Sequence, residues 1–354
     1  MKKILSMVLA AAMAALMLTA CAGTGASSSS SQPGESSAAS EALSSSESSS
    51  SSAAETGETP PIRIAGLKGP TSMGMVKLMQ DAEDKATMNG YEFTIAGSAD
   101  EITPKLIQGD LDMAAVPANL ASVLYNNTKG QVQVLAVNTL GVIYICEKGE
   151  TVNALEDLKG KTIYATGKGS TPEYALRYIL SENGIDPDSD VTIEWKSEPT
   201  EVVAAMAEAD ENMVAMLPQP YVTVAQTSIE GLRIAVDLNK EWENLDNGSQ
   251  FITGVLVVNK AFAENNKEAV DNFLTEYKAS TEYVNANTDA AAELIEKYDI
   301  VKAAVAKKAL PYCNITFSSG EEMKTSMNGY LQVLFDQNSK SVGGAMPADD
   351  FYYE

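Results

Sequence analysis

The sequence predicts an α/β protein whose globular part is two lobes, each a mainly parallel sheet flanked by helices, joined by two crossovers. Three observations predict it. From Ile62 onward short apolar runs alternate with amphipathic stretches, the same succession begins again at Leu158, and a last strand-like run, Phe251 to Lys260, is followed by helical sequence. Strands regularly separated by helices imply right-handed crossovers and a largely parallel sheet. A tail of helices with one strand cannot build its own sheet, so it should pack back on the first lobe. The chain then crosses between lobes near residues 143–150 and 249–255. That divides it into residues 61–147 plus 253–354 for lobe 1 and 148–252 for lobe 2.

In the first block, "IRIAGL" reads as a strand, and Met75, Val76, Met79 and Ala82 form a helical stripe. "YEFTIAG" alternates as a strand does, and "TPKLIQGD" follows as a short helix with Pro104 near its start. "LDMAAVP" is a buried strand ending at Pro117, "ANLASVLYNN" a helix, and "VQVLAVNT" and "GVIYICEK" two more strands. The second block repeats this plan. It gives a strand, a turn from Thr166 to Thr171, and a helix with Tyr174, Ala175, Tyr178 and Ile179 on one side, stopped by Asn183-Gly184. "VTIEWK", a helix through Val202, Val203 and Met206, and "NMVAMLPQP" complete it. After "FITGVLVVNK", a helix places Val270, Phe273, Leu274, Tyr277 and Val284 on one face, and three more helices follow.

The first twenty residues read as an export signal: Lys2 and Lys3, an apolar run from Ile4 to Leu18, then small residues. The run is too short and Ala-rich for a spanning helix. Leu18-Thr19-Ala20-Cys21 resembles the bacterial lipobox, which implies that Cys21 is acylated, palmitate included, and becomes the new N-terminus. Two or more acyl chains give a stable anchor where one does not. Residues 21–60 then form a tether of mostly Ser, Ala, Gly, Glu and Thr, unable to bury enough apolar surface to offset its ordering entropy. The expected location is the extracytoplasmic face of the cell membrane, held by lipid.

Composition excludes several function classes. Asp and Glu number 48 against 25 Lys and Arg, a formal net charge of −23, with no basic stripe for nucleic acid. Histidine is absent, which removes Ser-His-Asp and Cys-His systems, the histidine zinc motifs and the commonest acid/base near neutral pH. "DPDSD", Asp186 to Asp190, lacks the glycine turn and the later glutamate of a calcium loop and reads as a plain loop. Cys146 reads as a small buried hydrophobe; whether it pairs with Cys313 cannot be taken from spacing. No metal, no cofactor and no enzymatic activity are expected.

Two turns remain, "GLKGPTSMG" and "ATGKGSTPEY". Neither fits the Walker or the dinucleotide glycine pattern. Both supply a helix N-terminus with free N–H groups, hydroxyls and a partial positive field. Ligands of open α/β sheets bind beyond the carboxyl ends of the strands, where such turns lie. One turn from each lobe would then face the other across a cleft. Ser170-Thr171-Pro172-Glu173 is equally an N-cap signature, which would account for part of the second turn.

The lipobox, the Ser-rich tether, "GPTSMG", "QGDLDMAAVPANLAS", "LKGKTIYATGKGSTPEYALRYIL", "LPQPYVT" and the terminal "MPADDFYY" occur in order. Together they resemble the substrate-binding lipoproteins of ABC importers, above all the sulfonate, nitrate and thiamine-precursor binding group with its type II periplasmic-binding fold. That resemblance implies a monomeric clamshell that delivers a small molecule to an ABC permease and its ATPase subunits. It implies ligand contacts from Gly69, Pro70, Thr71 and Ser72, from Asn119, from Asn138 and Thr139, from Gly167, Lys168, Gly169, Ser170 and Thr171, and from Gln219 and Tyr221. Lys168 favours a sulfonate or carboxylate. Tyr144, Tyr221 and Phe251 could instead stack on a flat heterocycle such as a pyrimidine, or be core residues. Pyrimidine synthases share this architecture but draw on histidine, and a surface sensor is a further alternative.

Overall fold

The computed structural model describes residues 60–209 and 212–354; the export signal, Cys21 and nearly all of the tether lie outside the described residues. The first lobe opens with β1 (Ile62–Leu67), α1 (Pro70–Met73), α2 (Val76–Glu83), β2 (Tyr91–Ala96), α3 (Ala99–Gln108), β3 (Met113–Pro117), α4 (Ala118–Thr128) and β4 (Val132–Leu140). The second lobe holds β5 (Ile143–Lys148), β6 (Thr162–Ala165), α5 (Thr171–Glu182), β7 (Thr192–Trp195), α6 (Pro199–Glu208), β8 (Met213–Pro218), α7 (Tyr221–Ser228), β9 (Leu232–Asp237) and α8 (Leu238–Asn244). The chain returns to lobe 1 as β10 (Ile252–Asn259), α9 (Lys260–Asn265), α10 (Lys267–Ala286), α11 (Thr288–Lys297), α12 (Ala303–Ala309), β11 (Ile315–Ser318) and α13 (Gly320–Gln337).

The strand orders are β11-β4-β10-β3-β1-β2 in lobe 1 and β7-β6-β8-β5-β9 in lobe 2. The repeated plan of the sequence thus becomes a repeated topology, with β1, β2, β3 and β4 answered by β6, β7, β8 and β9. In each lobe the strand that arrives from the other lobe, β10 or β5, is inserted near the middle and runs antiparallel to both neighbours. The remaining pairs of the repeat are parallel. Val255 to Val258 of β10 are all fully buried, as a central strand covered on both faces requires.

Three sequence expectations change here. Ile143–Lys148 pairs with β8 and β9 and belongs to lobe 2, so the first crossing falls at Gly141-Val142 and not across 143–150. The helix expected at "TPKLIQGD" starts earlier, at Ala99. Ser98 and Glu101 form a capping box and Gly109 closes the far end in the left-handed conformation, which outweighs the bond lost at Pro104 inside. The tail also contains a second strand, β11, paired with β4 at the sheet edge.

The second crossing runs beside α8, where Trp242 stacks on Phe251 with centroids 5.1 Å apart and an interplanar angle of 13°. Tyr178 of α5 and Tyr330 of α13 pack on the same indole at 5.0 and 5.5 Å. One aromatic cluster therefore joins lobe 2, the crossing and lobe 1. Cys146 and Cys313 are both free and buried, and burial pushes the Cys146 thiol up to about 12. The segment Asp186–Asp190 is a loop in which Asp186 accepts from the Asp188 N–H and the Ser189 hydroxyl.

Candidate binding site

In lobe 1, β1 feeds a single helical turn. Gly69 is the N-cap of α1, Pro70 its first residue, and Ser72 its third. Ser72 is fully buried, with its hydroxyl in the space a Cβ on Gly66 would need. Neither Ser72 Oγ nor Thr71 Oγ1 has a hydrogen-bond partner. Asn138 of β4 donates from Nδ2 to the Thr71 carbonyl at 3.2 Å, and the Thr139 hydroxyl donates to Asn138 Oδ1 at 3.0 Å. Behind the turn stand Tyr277 and Thr281, one helical turn apart on α10 and both next to Gly74. Their hydroxyls are buried, and that of Tyr277 lies beside Thr281 and Asn138 without a hydrogen bond of good geometry. Between them Ser280 Oγ donates to the Gly74 carbonyl at 2.7 Å and accepts from the Leu78 N–H at 3.0 Å, pinning the α1–α2 joint to α10.

The lobe 2 turn is closed on itself. Gly167 has φ 82°, and the Pro172 ring lies 2.7 Å from where a Cβ would be, so no other residue fits there. Ser170 is the N-cap of α5, yet its hydroxyl donates back to the Gly167 carbonyl at 2.8 Å and caps nothing. The cap is Glu173, which accepts the Gly169 N–H at 2.6 Å and is held by Arg177 Nε at 2.9 Å. Lys168 and Gly169 are exposed.

The lobes meet where α4 and α5 begin. The Asn119 N–H donates to Thr171 Oγ1 at 3.4 Å, and Thr171 Oγ1 donates to Asn119 Oδ1 at 3.2 Å. Both residues are fully buried. The Asn119 amide nitrogen is already committed to the Ser341 carbonyl at 2.9 Å. Tyr330 brings its hydroxyl beside Thr171 without a hydrogen bond of good geometry.

Gln219 sits at the first crossing, its N–H on the Val142 carbonyl at 2.9 Å and its Oε1 receiving the Thr223 hydroxyl at 2.9 Å. Tyr221 and Tyr144 share one apolar cluster. Burial first, and then the carboxylates of Glu198 and Asp237 respectively, push both phenols up. Phe251 is engaged by Trp242 and belongs to the hinge cluster, not to a ligand-stacking surface.

Sequence reasoning missed Tyr277, Thr281 and Tyr330. The signal available was faint: hydroxyls on helix faces that otherwise read as core. Surface depressions of about 400 Å³ beside Asn153 and Lys240 and of about 430 Å³ beside Gln133 and Tyr352 lie elsewhere and are lined by mixed charges with no converging group.

The fold agrees with one family. Residues 75–298, more than half of the chain, match the model of the NMT1-like family. The chain belongs to the NMT1-like family. Solved structures share the fold of this NMT1-like chain at low identity. An ABC transporter structure from Parabacteroides distasonis is 21% identical, covers 83% of this chain and 99% of its own, with TM-score 0.69. The periplasmic aliphatic sulphonate binding protein SsuA from Escherichia coli is 17% identical over 84% of this chain and 93% of its own, with TM-score 0.66. The alkanesulfonate-binding protein SsuA from Xanthomonas axonopodis pv. citri, bound to MOPS, is 14% identical over 82% and 96%, with TM-score 0.65. No curated protein sequence matches the chain. Among the described residues, no helix is long and apolar enough to cross a membrane.

Proposed function

We propose that this NMT1-like protein is the lipid-anchored solute-binding component of an ABC importer, closing two lobes on a small polar organic molecule and presenting it to a permease. The observations that carry the reading are the interlobe junction of Asn119 and Thr171, with the Tyr330 hydroxyl beside it, and the unpartnered hydroxyls of Thr71 and Ser72 in the lobe 1 turn. A buried hydroxyl without a partner costs about 1–3 kcal/mol, so these hydroxyls support a molecule that partners them. Closure turns on the two crossings, and a solute selects the closed state through contacts with both lobes. Cys21 supplies the anchor, and the ABC-transport context of the structural neighbours supports the partners.

The test is thermal shift and native mass spectrometry of the full chain against sulfonates, carboxylates, pyrimidines and amino acids. Binding raises Tm in a concentration-dependent way. No shift with any of them, together with turnover of one, would replace this reading with an enzyme.

A further inference from the structure

Resting on that reading, we infer that Tyr330 is a positioning residue that ties the hinge to the cleft: its hydroxyl disfavours closure until a solute at Thr171 gives it a partner, and its ring carries the change to the second crossing. Tyr330 lies on α13 of lobe 1 and is fully buried. Its ring packs on Trp242 of α8 and on Phe251 of the crossing, with centroids at 5.5 and 6.4 Å. The residue before it, Gly329, brings α13 down onto the crossing itself: a Cβ there would lie 3.5 Å from Ser249 Cβ. The oxygen at the far end of the same ring stands beside Thr171, the first residue of α5 in lobe 2.

The other polar atoms of this aromatic cluster are satisfied. Trp242 Nε1 donates to Ser249 Oγ at 3.2 Å, and the Tyr178 hydroxyl accepts from Asn247 Nδ2 at 3.2 Å. The Tyr330 hydroxyl alone, among the described residues of the cluster, has no hydrogen bond of good geometry. Thr171 Oγ1 beside it is already engaged twice by Asn119. A phenol that water reaches when the lobes part, and that is stranded when they meet, sets a free-energy penalty on closing without solute. Trp242 and Thr171 both belong to lobe 2 and Tyr330 to lobe 1, so a rotation of one lobe on the other changes both contacts of Tyr330 together. The group that partners the hydroxyl thereby also biases the hinge.

The experiment needs no solute. The Asn119 N–H lies in the first turn of α4, where its own helix offers no carbonyl, and donates across the lobes to Thr171 Oγ1. Its protection from hydrogen exchange, measured by NMR on the full chain, therefore reads the closed-to-open ratio, while the amides of Val255 to Val258 in the central strand β10 read global stability. Tyr330→Phe keeps the ring and removes the oxygen. It is expected to raise the ratio about fivefold or more, with protection in β10 unchanged within about twofold. Ser318→Ala removes another buried, unpartnered hydroxyl, from the edge strand β11, and should move the ratio less than about twofold. A smaller rise with Tyr330→Phe, an equal rise with Ser318→Ala, or a parallel rise in β10 protection overturns the inference. The solute-binding reading stands or falls separately, on the ligand screen.

Discussion

The two turns that open on the interlobe face are written in the same residues and end in opposite states. In lobe 2 the third residue of the helix is Glu173, which reaches back to the turn and satisfies it. In lobe 1 the third residue is Ser72, which is too short to reach back and is left, with Thr71, holding unpartnered hydroxyls. Glycines and hydroxyls therefore do not by themselves mark a grip. The length and charge of the side chain one turn into the helix decide whether the turn serves its own fold or a ligand. Lobe 2 is complete in itself, and lobe 1 is the half that waits.

Substitutions in the two lobes should accordingly separate stability from affinity. The largest effect is expected at Glu147, fully buried in lobe 2, which accepts the Thr151 N–H at 2.9 Å and the Val152 N–H at 3.0 Å and pairs with Arg233 at 2.6 Å. Glu147→Ala should cost about 3 kcal/mol in urea denaturation, because it strands Arg233, while solute affinity is unchanged. A loss below about 1 kcal/mol would break the contrast. Burial works to raise the Glu147 pKa, but the bonds from Thr151 and Val152 and the Arg233 charge outweigh it and hold the carboxyl below its ordinary 4.5. Its contribution is therefore present above that unfolded value and lost as pH falls through the lower folded one. Stability of the native chain should fall on acidification below about pH 4.5, and Glu147→Gln should flatten that fall.

Next is Gly141, at the crossing that both lobes share. A methyl there meets Asn239 and lies 2.7 Å from Phe251 Cδ1, so Gly141→Ala should lower stability by about 1–3 kcal/mol and weaken closure as well. The paired change Thr71→Val with Ser72→Ala should reduce solute affinity tenfold or more, about 1.4 kcal/mol, with Tm held, while Lys168→Ala changes affinity less than twofold. Calorimetry showing the reverse order would invert the comparison. The smallest effect belongs to Glu173→Gln, about 0.3–1 kcal/mol of stability from a weakened helix cap.

Much of this was legible in the residues. The repeat of apolar runs from Leu158 became a repeat of topology, and the α10 stripe of Val270, Phe273, Tyr277 and Val284 is buried as its spacing requires. β9 and α8 were not legible because they lie at a sheet edge, where half-exposed strands such as "LRIAVD" mix polar and apolar residues. At the site, Asn119 and Thr171 were named and the structure brings them together. Lys168 was named and is exposed; nothing in "GKGST" says which way a residue between two glycines will face. Tyr277 and Tyr330 were hidden by their own rings, whose apolar bulk reads as core while a single oxygen carries the chemistry.

The inserted strands also set a timetable. All five strands of lobe 2 lie within residues 143–237, so its sheet can be finished as soon as that stretch has emerged. Lobe 1 has no such freedom: β3 and β4 touch only through β10, more than a hundred residues downstream. A growing or translocating chain stopped before residue 252 would hold one finished sheet and one split in two. The half that waits for a solute is also the half that waits for the rest of its own chain.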